Sequence, residues 1–430
     1  MKNFYKKTCL AFVIASSLML GACNDDNDSG SNNNVTLPVK YATYISESAY
    51  VDDQQQPRDT LDNAESLSVM KYKMPNVLGK TVEATAVVMY PKTPVPKDGW
   101  KVVVWEHGTL GVADKCAPSQ TQLGERFKPL AEELLALGYV VIGVDYEGLG
   151  TPGIHPYLHL ESEANSAIYA VNAFKEKYAG KVQGDWMSVG QSQGGQASLG
   201  TAEYAYNDVT YKGAVAGAPA SSLGYIIGTV APAALADIEV KEIAGNVPLE
   251  NRTSVQSYAT LLAYAALVGV GIKAYEPDFN YLPMFETESQ ASAKLAEGSN
   301  GEDGQCLADI VSAYKNDIIT FMGQDASRKV MDFPGISQTE LDNNPILQRF
   351  MNEIGQPGTK PVNKPILVIQ GTADTNVPYP VTEILVNKMK ANNPSTSIKL
   401  LPVLNATHTQ AIVQKQADLV AFIQQNMPNN

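Results

Sequence analysis

The sequence predicts an α/β architecture: a mostly parallel, doubly wound sheet that carries a large inserted helical cap. Three observations point there. Short apolar runs alternate with stretches of helical periodicity over most of the chain. One of these runs leads into the glycine-rich turn Gly190-Gln191-Ser192-Gln193-Gly194-Gly195. The alternation is broken only once, by the long Ala- and Leu-rich interval 221–363. Strand–helix alternation favours parallel strands joined by crossovers, with helices on both faces.

In chain order, residues 1–22 read as a targeting segment and stand outside the fold. Lys2, Lys6 and Lys7 make a positive start, an apolar run spans Leu10–Leu20, and Leu20-Gly21-Ala22-Cys23 follows. The run is shorter than the roughly 20 residues a spanning helix needs. Small residues directly before a cysteine resemble the lipobox of bacterial lipoproteins, in which Cys23 becomes the acylated first residue. The other reading is an ordinary signal peptide cut nearby, with Cys23 incidental. Both take the chain out of the cytoplasm, as a membrane-anchored lipoprotein of the cell envelope or as a secreted protein. Residues 23–36 follow as a flexible tether, since Asn24 to Asn34 include no apolar residue and cannot offset their own ordering entropy.

Val69–Met74 and Glu83–Tyr90 read as two early strands, with turn residues Asn76 and Gly79 between them. Lys101–Glu106 (KVVVWE) and Tyr139–Asp145 (YVVIGVD) are apolar nearly throughout, as strands buried on both faces must be. Phe127–Leu137 has helical periodicity and stops at Gly138; Glu161–Tyr178 is a longer helical pattern. Trp186–Val189, Gly213–Gly217, Pro365–Gln370 and Ile398–Val403 complete the expected strands. The core is therefore assigned to 37–220 and 364–430. A structureless loop over 221–363 is implausible, and apolar helical stretches at Tyr225–Leu235, Tyr258–Ile272 and Leu307–Phe321 make that interval a cap or lid. Tyr258–Ile272 is too short to span a membrane and reads as a buried cap helix.

Composition narrows the functional classes. At 430 residues, 44% hydrophobic and 18% charged, the chain is an ordinary globular protein. Its formal charge of -13, with acids spread along the sequence, leaves no basic patch for phosphates and excludes nucleic acid as a partner. No Cys or His spacing suggests a metal site, and neither a dinucleotide fingerprint nor a P-loop is present.

Chemistry concentrates after the strand ends. The turn around Ser192 matches G-x-S-x-G between a strand and a helix, the setting of a nucleophile elbow. Such a turn needs flanking residues without bulk, and it aims the Gln193 N–H, backed by the helix dipole, at a developing oxyanion. A serine needs a histidine to take its proton, and the histidine needs an acid to hold its tautomer. Of the four histidines, His107, His155 and His159 precede Ser192; only His408 fits the order serine, acid, histidine. Asp374, in the turn after the PILVIQ strand, is the acid candidate, because functional loops gather at the carboxyl ends of strands. Asp332 and Asp342 lie in the cap without a preceding strand. The loop His107-Gly108-Thr109-Leu110-Gly111 offers the Thr109 N–H as a second oxyanion donor, with His107 bracing that loop. His155 and His159 either line the site or cap a loop.

These motifs taken together resemble the secretory lipase family of α/β-hydrolases. They are HGT with Cys116-Ala117-Pro118-Ser119 after it, then D-Y-x-G-L-G-T-P from Asp145, then G-Q-S-Q-G-G, then D-x-x-V-P-Y from Asp374. The resemblance covers about residues 40–425. It implies an α/β-hydrolase fold, a triad of Ser192, Asp374 and His408, an oxyanion hole from Thr109 and Gln193, and a helical cap over an acyl site. It also implies hydrolysis of carboxylic esters, acylglycerols included, without a cofactor. The family's yeast member has an Asp where this chain has Thr109. The expected partners are a lipid or ester substrate and, through Cys23, a membrane; the chain is expected to act as a monomer. Two other readings remain, a serine peptidase of this fold and a non-catalytic surface-binding lipoprotein.

With Cys9 in the targeting segment and Cys23 acylated, the folded body keeps Cys116 and Cys306. Two cysteines in an oxidising compartment are expected to pair, the alternative being two buried free thiols.

Overall fold

The computed structural model describes residues 42–429, so the targeting segment, Cys23 and the tether lie outside it. Within it nine strands form one sheet: β1 Tyr44–Ala49, β2 Ala64–Pro75, β3 Thr81–Pro91, β4 Trp100–Glu106, β5 Val140–Val144, β6 Val182–Gln191, β7 Tyr211–Gly217, β8 Ile366–Gly371 and β9 Ile398–Val403. Their order across the sheet is β1-β2-β3-β5-β4-β6-β7-β8-β9.

From β5 to β9 every pairing is parallel, whereas β1, β2 and β3 join β5 as an antiparallel meander. The sheet is therefore mixed, with its parallel part at the centre. The β2–β3 hairpin closes at Asn76, whose Oδ1 accepts from Leu78 and Lys80 N–H, and Gly79 supplies the left-handed φ of +72° the turn requires. β1 has no counterpart in the sequence reading.

The apolar runs divide by parity, as a period of two dictates. Val102, Val104, Val140, Ile142, Ala214, Ala216, Ile366 and Val368 face one layer, formed by helices Leu160–Lys177, Gln193–Tyr204 and Tyr379–Asn392. Val103, Val141, Val215, Leu367 and Ile369 face the other, against helices Lys128–Ala136 and Gln416–Asn426. Each fully buried Val, Ile or Leu contributes about 1.5–3 kcal/mol, which ties every central strand to both helical layers.

Between β7 and β8 the regular structure is helical apart from a bridge between Phe285 and Ile336. Helix Thr253–Ile272 is the centre of that insertion. By length and hydropathy it could cross a membrane, as could Leu223–Ala244. It is 20 residues long, five more than its periodicity indicated, so length alone does not exclude a span. Burial accounts for its apolarity instead: 83% of its apolar window is packed inside the protein. Its glycines allow close approach. A Cβ on Gly269 would lie 2.7 Å from the Tyr281 side chain, and one on Gly271 2.6 Å from the Tyr157 backbone.

Cys116 and Cys306 form a disulfide across 190 residues of sequence. Beside it Leu307 N–H donates to Leu110 O and Asp114 N–H to Glu302 O, so the insertion is clipped to the 107–116 loop. Closing a loop of that size removes about 5 kcal/mol of unfolded-state entropy as an upper figure. Thermal melts with and without a reductant are expected to show a clear loss of stability on reduction; a Cys116→Ser/Cys306→Ser variant melting like the oxidised wild type would contradict this.

Candidate active site

Ser192 sits between β6 and helix Gln193–Tyr204 with φ 60° and ψ -116°, a conformation that costs a non-glycine residue about 1–3 kcal/mol. Its neighbours hold it there: Ser192 N–H donates to Gly217 O, and its own carbonyl accepts from Gln196 and Ala220 N–H. The flanking glycines are required by space rather than by φ. A Cβ on Gly194 would lie 1.7 Å from Glu106 O, and one on Gly190 2.0 Å from Gly194 O. The turn is thus pressed onto the end of β4, and the serine projects from it.

His408 follows β9 and meets Ser192 from the far side of the sheet end. Ser192 Oγ donates to His408 Nε2 at 2.8 Å, and His408 Nδ1–H donates to Asp374 Oδ2 at 2.8 Å. The carboxylate fixes the imidazole tautomer. Asp374 follows β8, and its side chain is fully buried. Four donors satisfy it: Oδ1 accepts from Asn376 and Val377 N–H at 2.9 Å, and Oδ2 from Gln370 Nε2 at 2.9 Å as well as from His408. Gly371 makes the meeting of the two loops possible, since a Cβ there would be 2.2 Å from Ala406 O.

Of the remaining candidates, Thr109 shares a cavity wall with Ser192 and Gln193 follows that serine in the chain, whereas His159 lies apart. Gln193 is the first helical residue, where N–H groups have no intrahelical acceptor. Among the described residues the Thr109 N–H likewise has no backbone acceptor. The Thr109 and Tyr157 hydroxyls are hydrogen-bonded at 2.7 Å. His107 donates Nδ1–H to Gly108 O and packs on Tyr146, with ring centroids 4.5 Å apart. His159 caps helix Leu160–Lys177 by accepting from Ser162 N–H. His155 is completely buried: Nδ1–H donates to Glu147 O, and Nε2 accepts from Gln193 Nε2, which also donates to Glu163 Oε1 at 2.7 Å.

Sequence reasoning missed the supporting shell. Gln191 Nε2 holds the His408 carbonyl, Gln370 orients Asp374, and the His155–Gln193–Glu163 chain fixes the first residue after the nucleophile. Both Gln191 and Gln193 occupy the variable positions of G-x-S-x-G, and their amides were the available signal.

Burial sets the protonation of this shell. It pushes the His107 imidazole down to about 4, His155 to about 3 and His159 to about 4, against an ordinary 6.5. It raises the carboxyls of Asp145, Glu147 and Glu203 to about 7 and Glu163 to about 8, although hydrogen bonds oppose it in each case. A carboxyl raised in the folded state keeps a proton the unfolded chain has lost. Its contribution is complete below its ordinary pKa and disappears as pH rises through the folded value. The histidines titrate the opposite way, and only below 6.5. From about pH 6.5 to about 8.5 the melting temperature is therefore expected to fall, and Glu163→Gln should flatten that slope; melts of both proteins across this range check it, and parallel, flat profiles would contradict it.

Two cavities meet at Ser192 and Tyr264. One, of about 70 Å³, runs under the insertion and is almost wholly apolar, with Leu223, Ile226, Leu261, Val268 and Phe350 among its walls. The other, of about 300 Å³, opens on the His408 side between the Thr109 loop and the 118–127 segment.

Comparison with known proteins agrees on the fold. Residues 327–430 match the prolyl oligopeptidase family (Peptidase_S9), a stretch that contains Asp374 and His408 but not Ser192. No curated protein matches the sequence. Candida antarctica lipase A in its closed state superposes with a TM-score of 0.62 at 18% identity, covering 90% of this chain and 82% of that one. The rice cell wall degrading esterase LipA from Xanthomonas oryzae superposes with a TM-score of 0.59 at 16% identity, covering 89% and 97%. The chain has the α/β-hydrolase fold.

Proposed function

We propose that this protein is a serine carboxylic-ester hydrolase, a lipase that cleaves lipophilic esters through an acyl-enzyme. The observation that carries the reading is the unbroken hydrogen-bond chain from Ser192 Oγ through His408 to the buried Asp374. In the proposed cycle His408 takes the Ser192 proton as Oγ attacks the ester carbonyl, and the Thr109 and Gln193 N–H groups receive the oxyanion. His408 then gives that proton to the departing alcohol. Water, deprotonated by the same nitrogen, releases the acid and restores the serine.

The cavity beneath the insertion suits an acyl chain, since its walls are mostly aliphatic, with Leu223, Ile226, Leu261 and Val268 among them. Lipase and esterase activity in the two structural relatives is consistent with this choice. Export and anchoring through Cys23 belong to the same proposal and rest on the N-terminal sequence alone. A serine peptidase is the second reading, favoured by the match of residues 327–430 to a peptidase family.

A nitrophenyl ester series from acetate to palmitate, run beside an emulsified triglyceride and a prolyl peptide amide, separates the two. The lipase reading expects kcat/KM to climb with each methylene the cavity accepts, each worth up to about 0.8 kcal/mol, and expects no amide cleavage. Fast amide turnover with poor ester turnover would establish the peptidase instead.

A further inference from the structure

The cavity on the His408 side has an unusual electrical character for this chain. The protein carries 45 acidic residues, yet no carboxylate lines this cavity, and Arg126 is the only permanently charged residue that does. The adjacent acid in sequence, Glu125, is already engaged: Lys128 Nζ pairs with its Oε1 at 2.7 Å and with Asp59 Oδ2 at 2.9 Å. Among the described residues no carboxylate lies within ion-pair distance of Arg126. It shares the wall of this cavity with the half-buried Tyr264, which also lines the apolar one. Arg126 itself is exposed to solvent, while the wall beside it includes the apolar Trp105, Leu123 and Phe127.

Proton transfer decides which half of a substrate enters. As the carbonyl–oxygen bond breaks, its electron pair stays on the alcohol oxygen, and His408 Nε2–H must supply the proton there. His408 lines this cavity and not the apolar one, so the alcohol lies here and the acyl chain opposite. We propose that Arg126 selects esters whose alcohol portion carries an anionic group, a carboxylate or a phosphate, which the guanidinium pairs while His408 protonates the ester oxygen. The guanidinium's planar fork suits either anion. This rests on the ester-hydrolase reading above.

Four octanoate esters test it. Two are 1-octanoylglycerol and its 3-phosphate; the others are the octanoate of 4-(hydroxymethyl)benzoate and the methyl ester of that compound. The wild type is expected to favour the anionic member of at least one pair by about tenfold in kcat/KM, and the pair that responds identifies carboxylate or phosphate. Arg126→Gln should bring the anionic-to-neutral ratio to about one, Arg126→Lys should retain part of it, and Lys399→Gln, which removes a charge elsewhere, should leave the ratio as it was. Hydrolysis of all four esters without preference, or a preference that survives Arg126→Gln, overturns the Arg126 proposal alone. A wild type inert towards all four overturns the ester-hydrolase reading, and this proposal with it.

Discussion

Ser192→Ala should remove ester hydrolysis by about 10⁶-fold in kcat while leaving the fold intact. Ser192 is 7% exposed and its Oγ bonds only His408, so the change deletes one oxygen and opens almost no cavity. Alanine meets the same φ of 60° that serine does, and the backbone bonds to Gly217, Gln196 and Ala220 are untouched. The melting temperature is accordingly expected to stay within a few degrees of wild type. Circular dichroism melts beside a nitrophenyl ester assay separate this outcome from simple unfolding.

The second large effect divides the two partners of that serine. His408→Ala should cost nearly as much as Ser192→Ala, because without the imidazole neither the attack nor the departure of the alcohol has a proton carrier. Asp374→Asn should cost about 10⁴-fold in kcat, the scale expected when an acid that only holds the imidazole's tautomer is lost. Asparagine is the informative replacement. Alanine would leave the Asn376, Val377 and Gln370 donors without an acceptor in a fully buried place, mixing instability with catalysis. Measured kcat values ordered wild type, Asp374→Asn, then His408→Ala and Ser192→Ala together would fit these roles; activity surviving in His408→Ala but lost in His107→Ala would refute them.

The parts of the fold that could be read from the sequence are those whose burial is local in origin. KVVVWE and YVVIGVD are covered on both faces, so they have no polar alternation to confuse with a loop. β1 escaped because its residues YISESA are only half-buried or exposed at the sheet's edge, leaving almost no hydrophobic signal. The antiparallel joining of β3 to β5 is a non-local pairing that no short window encodes. Ser192 was legible because Gly190 and Gly194 are dictated by contacts below 3 Å, and His408 because chain order left it alone. Gln193 was legible through its backbone N–H, but its side-chain bonds were not, and Gln191, Gln370 and Glu163 were not legible as functional neighbours. Their amides and carboxyls look like solvent-facing groups until the sheet end folds over them. Arg126 is the same case in reverse, an ordinary loop arginine until the cavity beside Ser192 proves to have no acid.

The most direct test of the account is covalent. A fluorophosphonate reacts with a serine only where a neighbouring base and an oxyanion site activate it. Native protein treated with such a probe, weighed intact and mapped by peptide, is expected to carry one adduct, on Ser192, that is absent from Ser192→Ala and formed far more slowly in His408→Ala. A native protein that takes up no probe, or one whose adduct persists in Ser192→Ala, would contradict the account at its centre.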